Sequence, residues 1–554
     1  MEEKKIDQNE KPKPLFRPPA VRVPEQRHIK EIGNKLHLDV NQDEIANYTE
    51  LAGEFLGSWN SVYFETTTGL RAEYSRRVTS FYPDSDNIFY YKCKIDNKRE
   101  GLLCDKSLGV KDTVFIAGLP LMNGSHLIEG FTPNEDATIV SRLLDAGIDI
   151  IGKTHCEDLC FSGASFTCAR GPVNNSFIDG YNSCGSSSGS ASGVAKGLID
   201  IAIAGDQGGS IRLPSASNGV IGLKPTFGLI PYTNVMGLDY TLDHVGPIAR
   251  RVEDICKFMQ VTVGPDDYDS RYYKYLKYSQ FNSDAEDEEF KQLKKKKSEF
   301  EKSIKFGISK AKVDFMKAYE LYQEIIPNLK VGVLKEGFAN LIESEAKMYK
   351  TSFDHLRHTL NSKHKIEFND VSCDAHITAG VIIFIFFVEG FYNFYENDFV
   401  SKSTFQKDSF ELAKHVHASK QVNTKDISHS NKLFFILGEY IKEKYGSRFW
   451  AKANDIRIEV FKKYQKLFEE YDLIIMPTLK KLPSSLPKND LGIKEYFDII
   501  FGHVGNTCPY NVNGNPALTI NYGAVEKLCP VMIVGRHFED HRVLQFARLI
   551  ENLK

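Results

Sequence analysis

The sequence carries no large excess of charge of either sign. Its 70 Lys and Arg residues nearly balance 73 Asp and Glu, for a formal net charge of −3. No global basic field therefore points to nucleic acid as a partner. There is no internal repeat. The ten cysteines follow no repeated spacing, which argues against a disulfide framework and for free thiols in a reducing, cytoplasmic setting. A metal pattern is missing as well. His155, Cys156 and Cys160 lack the second pair of ligands that a zinc site needs, and they read as buried structural thiols. His537-Phe-Glu-Asp-His541 misplaces its Glu for the H-E-x-x-H helix. The first residues, Met1 to Pro14, are charged and lack the apolar core of a secretory signal. The most apolar run, Val381 to Val388, falls short of the ~20 residues of a membrane helix. It reads as buried core, so no membrane partner is expected.

What is present is an ordinary globular composition, 42% hydrophobic over 554 residues, ample for a sizeable core. Residues 1–24 are polar and proline-bearing and read as a disordered or extended tail. Residues 25–95 read as a helical N-terminal lobe. Ile29, Ile32 and Leu36 share a face there, and Asn41-x-x-Glu44 spells a capping box before Ile45, Tyr48, Ala52 and Phe55 at helical spacing. From residue 96 to 262 strands and helices alternate. Ala137, Val140 and Leu144 mark a helix that stops at Gly147, and Ile148 to Ile151 marks a short buried strand. Ser190 to Leu198 is a helix of small residues that something must pack against closely. Ile201 to Ala204 is another strand. That alternation argues an α/β fold. Residues 263–415 read as an inserted cap lobe, with a solvated charge run at Asp284 to Lys297 and a strand at Leu329 to Leu334. The α/β pattern resumes over 416–554, with a strand near Tyr471 to Pro477.

Two motifs mislead. Gly147 to Thr154 fits the P-loop letter pattern, but its variable positions are Ile-Asp-Ile-Ile, which look like a strand rather than a phosphate-wrapping loop. Gly185-Ser186-Ser187-Ser188-Gly189 matches the nucleophile elbow and would make Ser187 the nucleophile. The stretch before it, Asp179 to Ser183, is polar loop rather than the apolar strand an elbow follows.

The chemistry concentrates in three small, Gly-bearing settings. Ser210 follows Asp206-Gln207-Gly208-Gly209. Two glycines let the backbone turn sharply and approach a substrate, so the N–H groups of Gln207, Gly208, Gly209 and Ser210 can converge as an oxyanion hole. Ser186 lies in a Gly/Ser loop that opens a helix, and Lys111 follows the apolar Leu108-Gly-Val110. Each alone has a bland reading: a loop turn, a helix N-cap, a surface lysine. Together they offer a base, a relay and a nucleophile, and a serine hydroxyl is a poor nucleophile until a base takes its proton.

In that order, Lys111, then Ser186, then Ser210, the chain resembles the amidase signature family of serine hydrolases. The match extends through Cys184 to Thr226. It includes Gly152-Lys153-Thr154, Asp243-His244-Val245-Gly246-Pro247, Met476-Pro477-Thr478, Gly514-Asn515-Pro516-Ala517 and Val534-Gly535-Arg536. The resemblance implies a large mixed β-sheet flanked by helices. It implies Ser210 as nucleophile, Ser186 (after a cis peptide at Gly185) as proton relay, and neutral Lys111 as ultimate base. Asp206 and Arg212 would hold the loop. No cofactor and no metal are implied. Cys184 and Ser188 stand where the family usually has Gly, and Ser176 where a Pro often follows Asn175. Cys184 is the expected seat of any thiol sensitivity. Gln207 is similar to the Asp-Gln-Gly-Gly-Ser amidases that act on free aliphatic and aromatic amides and are typically homodimers. Phe161, Phe166 and Phe384 to Phe387 are candidate walls of an acyl pocket. The alternatives are an amidotransferase A-type subunit for tRNA-linked amidation, a lipid-amide hydrolase, and a non-catalytic binding protein.

Overall fold

The computed structural model describes residues 20–64, 77–79, 87–96, 100–272, 314–323, 329–401, 407–487, 491–523 and 528–553. The charge run Asp284 to Lys297 and most of the N-terminal tail lie outside the described residues. The chain divides into two compact units, Met1–Gly69 and Leu70–Lys554. The first holds two helices, Gln26–Lys35 and Gln42–Phe64. The capping box forms as written: Glu44 N–H donates to Asn41 Oδ1 at 3.0 Å, and Asn41 N–H donates to Glu44 Oε2 at 2.9 Å. Two of the helix's orphan donors are thereby satisfied.

The second unit is built on one mixed sheet. In chain order its strands are β1 Arg77–Thr79, β2 Phe89–Ile95, β3 Ser107–Lys111, β4 Asp149–Thr154, β5 Ile201–Asp206, β6 Ile221–Lys224, β7 His244–Ala249, β8 Lys330–Leu334, β9 Glu367–Val371, β10 Leu473–Pro477, β11 Ala517–Asn521 and β12 Pro530–Gly535. Their order across the sheet is β1-β2-β4-β3-β5-β7-β6-β11-β12-β10-β8-β9. The neighbours β4, β3 and β5 run parallel, as do β10, β8 and β9, and the remaining pairs are antiparallel. Two strands of the segment 263–415, β8 and β9, extend the same sheet. Both faces are covered, and side chains alternate between them with the period of two of a strand. Along β10, Leu473 and Ile475 join one apolar cluster while Ile474 and Met476 join the other.

The small-residue helix is Ser188–Ala195. A Cβ on Gly189 would meet the Ile88 carbonyl oxygen at 2.4 Å, and one on Gly193 would meet Ile199 Cδ1 at 2.6 Å. The letter-perfect P-loop is strand β4. The Lys153 Nζ makes a 2.6 Å ion pair with Asp112 Oδ1, both buried. The apolar run at 381–388 is only partly core. It belongs to a helical stretch, Ala375–Glu396, that is long and apolar enough to cross a membrane by length and composition. Ile382, Ile383, Phe386 and Phe387 are buried, whereas Val381 and Phe384 are 64% and 43% exposed. A helix turns its side chains through all directions, so an unbroken apolar run packed on one side leaves some of its residues exposed on the other.

Candidate active site

Strands β3 and β5 are parallel neighbours, so their carboxyl ends share one edge of the sheet, the edge where open α/β sheets place ligands. Lys111 ends β3 and Asp206 ends β5. The turn after β5 carries Ser210. Gly209 has φ +140°, and a Cβ there would lie 2.3 Å from Thr507 Oγ1, so the turn requires glycine. Thr507 Oγ1 donates to the Gly208 carbonyl oxygen at 2.6 Å. Among the described residues, none of the N–H groups of Gly208, Gly209 and Ser210 donates to a protein acceptor.

Asp206 and Arg212 bracket this turn. Arg212 Nε and Nη2 each donate to one Asp206 carboxylate oxygen at 2.9 Å. Arg212 also donates to the Thr507 carbonyl oxygen and to Asn511 Oδ1, both at 2.8 Å. The pair is fully buried. Burial raises the Asp206 carboxyl, but the charge and hydrogen bonds of Arg212 outweigh it and hold it well below the usual carboxylate range. Asn511 Nδ2 donates to the same carboxylate at 2.8 Å. Gln207 Nε2 donates to Tyr232 Oη at 2.9 Å, and that hydroxyl donates onward to the Met236 carbonyl oxygen at 3.0 Å.

Ser186 arrives from the other side, after a cis peptide bond at Gly185–Ser186. Gly185 cannot be larger, because a Cβ would lie 2.1 Å from the Ala164 carbonyl oxygen. Glu157 N–H donates to the Ser186 carbonyl oxygen at 3.2 Å. The Glu157 carboxylate accepts from Thr167 N–H and Oγ1 and from Ser188 Oγ. Burial pushes its pKa up to about 7 against those hydrogen bonds. Lys111 Nζ donates to Ser186 Oγ at 2.8 Å, with both residues fully buried. Ser187 instead turns its hydroxyl to the Gly205 carbonyl oxygen at 3.2 Å.

A pocket of ≈ 360 Å³, its mouth included, opens against Ser210, Gly208 and Gln207. Cys160, Phe161, Leu213, Leu238, Phe387, Phe501 and Val504 line it, and none of its described lining residues is charged. Phe161 and Phe387 thus stand in the wall, whereas Phe166 packs edge-on against Tyr496 elsewhere. Cys184 is not the pocket thiol. It is fully buried at φ +55°, the backbone region that favours glycine, and burial pushes its thiol up to about 12. Cys160 lines the pocket instead.

Sequence reasoning missed Thr507, Asn511 and Tyr232, which hold the turn from far along the chain and left no local signal. It also missed Asp112, whose Oδ2 accepts from Met122 and Asn123 N–H at 2.9 and 2.8 Å. Its place directly after Lys111 was the available clue. Among the described residues no group of three or more His, Cys, Asp or Glu could hold a metal ion.

The sequence model of the amidase family matches residues 89–544. The chain is 34% identical to an enantioselective amidase of Rhodococcus rhodochrous over 469 residues, covering 83% of this chain and 82% of that one. It is 27% identical to the A-type subunit of the glutamyl-tRNA(Gln) amidotransferase from Methanosarcina mazei over 496 residues, 86% and 90% of the two chains. In fold it is similar to 6-aminohexanoate cyclic dimer hydrolase, with a TM-score of 0.63 and 20% identity over 82% of this chain and 86% of that one. With a family match running from β2 into the last helix and a mixed sheet of the same fold, the chain belongs to the amidase signature family and is an amide-hydrolysing enzyme.

Proposed function

We propose that this enzyme hydrolyses small, uncharged aliphatic or aromatic carboxamides to carboxylate and ammonia through an acyl-enzyme on Ser210. The observation that carries the reading is the buried 2.8 Å hydrogen bond from Lys111 Nζ to Ser186 Oγ, beside the turn that presents Ser210. Ser210 Oγ attacks the amide carbonyl carbon as its proton passes to Ser186 Oγ, whose own proton passes to Lys111 Nζ. The carbonyl oxygen, now negative, takes hydrogen bonds from the N–H groups of Gln207, Gly208, Gly209 and Ser210. The same path returns a proton to the leaving nitrogen, the C–N bond breaks, and ammonia departs. Water then attacks the ester by the reverse route and frees Ser210. Asp206 and Arg212 hold the turn and touch no reacting atom.

The apolar, uncharged pocket wall supports a neutral acyl group over glutamine, whose ammonium and carboxylate would lose their hydration there without a partner. None of the ten cysteines is in a disulfide, which supports the cytoplasmic setting. A homodimer belongs to the same proposal, from the subgroup that the Gln207 form resembles.

The test is ammonia release from acetamide, propionamide, benzamide and glutamine by the wild type and Ser210→Ala. Release from the simple amides that vanishes in the variant is the expected result. Release from glutamine alone would move the assignment to an amidotransferase-type role. Release that survives Ser210→Ala would overturn the nucleophile.

A further inference from the structure

The thiols of Cys156 and Cys160 serve no step of the proposed reaction, yet both are aimed at one atom. Cys156 Sγ lies 3.7 Å and Cys160 Sγ 3.2 Å from Asn123 Oδ1. Asn123 is itself fixed, its N–H donating to the carboxylate of Asp112, the residue after Lys111. Between the thiols the chain folds back, with Leu159 at φ +49° and Cys160 at φ +60°, so that side chains four positions apart reach the same oxygen. Cys160 also lies beside Lys111 and Ser186, and it lines the pocket with Ser210. Cys156 is fully buried.

We propose that Cys156 and Cys160 form an oxidation site against the Lys111–Ser186 pair, where a small hydroperoxide entering the acyl pocket drives a reversible disulfide that shuts the enzyme down. The Cys160 thiolate attacks one peroxide oxygen. The O–O bond breaks, and the departing oxygen takes a proton and leaves as water. The sulfur, oxidised by two electrons, is a sulfenic acid. The Cys156 sulfur then attacks the Cys160 sulfur, the S–O bond breaks, and the hydroxyl leaves as a second water with the Cys156 proton. Two thiols and one hydrogen peroxide thus give one disulfide and two waters. Forming the bond draws the two sulfurs to about 2 Å. That turns Cys160 away from Asn123 and reshapes the wall beside Ser210.

The two thiols are suited to different roles. Burial raises the Cys160 thiol, but the neighbouring Cys156 thiol and the other polar groups around it outweigh that and bring it down to about 7. Burial raises Cys156 well above the ordinary thiol range. Cys160 is therefore the thiolate that meets peroxide and Cys156 the thiol that resolves it.

The loss of activity rests on the hydrolase reading of the pocket; the disulfide does not. The full-length protein is treated with a few equivalents of hydrogen peroxide, alkylated and digested with trypsin. Peptide 154–170 carries Cys156, Cys160 and Cys168. The expected result is a loss of about 2 Da from this peptide with Cys168 alkylated, and a matching loss of ammonia release that dithiothreitol restores. Cys156→Ala has no resolving thiol, so Cys160 proceeds to sulfinic acid. The activity that dithiothreitol restores, measured against that variant's own untreated rate, then falls several-fold. Ser210→Ala, inert in the assay, still forms the disulfide, which separates the oxidation site from the nucleophile assignment. Recovery of Cys156 and Cys160 both alkylated after peroxide overturns the proposal, as does a disulfide that leaves the rate unchanged.

Discussion

Lys111 Nζ donates a 2.8 Å hydrogen bond to Ser186 Oγ, joining residues 75 positions apart in a space that water does not reach. If this pair moves the proton of Ser210, Lys111→Ala and Ser186→Ala each lower kcat by roughly 10²–10⁴. Residues that act as one unit are not additive, so the double variant loses little more than the worse single variant. Steady-state ammonia release measures all three. Independent, multiplying losses would show that the two do not share a proton path.

The Asp206–Arg212 pair predicts a loss of fold before a loss of chemistry. Arg212→Met leaves a buried carboxylate uncompensated and costs about 3–5 kcal/mol, read as a shift in the urea midpoint. The depressed Asp206 carboxyl stabilises the fold above its free value of about pH 3.9. That contribution is lost as pH falls through its lowered native value. Asp206→Asn should flatten the acid limb of the stability curve. An unchanged acid limb would mean that the pair is energetically neutral.

Glu157 titrates with the opposite sign. Its native pKa is raised to about 7, so the folded protein holds a proton that the unfolded chain gives up above about pH 4.3. The contribution is full below that pH and declines as pH rises through about 7. Glu157→Gln mimics the protonated carboxyl. The difference in stability between wild type and variant should therefore grow in the variant's favour from pH 4.5 to 7.5, by at most about 1.4 kcal/mol per pH unit. A difference that is flat across that window would remove Glu157 from the account.

The two turn glycines should fail in different ways. A Cβ on Gly208 meets Phe387 Cζ at 2.8 Å, the far end of a side chain that can move. Gly208→Ala should raise KM for bulky amides, and Phe387→Leu should rescue it. A Cβ on Gly209 meets Thr507 at 2.3 Å in a backbone with φ +140°. Gly209→Ala should cost about 1–3 kcal/mol and lower kcat with no rescue by Phe387→Leu. Rescue of both, or of neither, would contradict this geometry.

Much of the core was legible because local rules and tertiary demands agree there. The capping box at Asn41 and Glu44 forms as written. The false P-loop is strand β4, as its Ile-Asp-Ile-Ile filling indicated. The small residues of Ser188–Ala195 do carry a close neighbour, Ile88. The apolar run at 381–388 misled because hydrophobicity reports a preference for leaving water and not which side of a helix has something to pack on. Phe384 and Phe387 are three residues apart, yet Phe384 is 43% exposed and Phe387 is buried in the pocket wall.

The sequence by itself determined the chemistry on offer: a lysine, two serines and a double-glycine turn, in an order and spacing that name a family, because a reaction needs particular functional groups and a sharp turn needs glycine. Only the tertiary structure decided what those groups touch. Arg212 is anchored on Thr507 and Asn511, nearly 300 residues away, and a buried charge takes whatever partners the sheet brings to it. Cys160, rather than Cys184, became the pocket thiol by the same logic. Side-chain direction at a loop follows from backbone angles that packing sets, and no local pattern of residues records them.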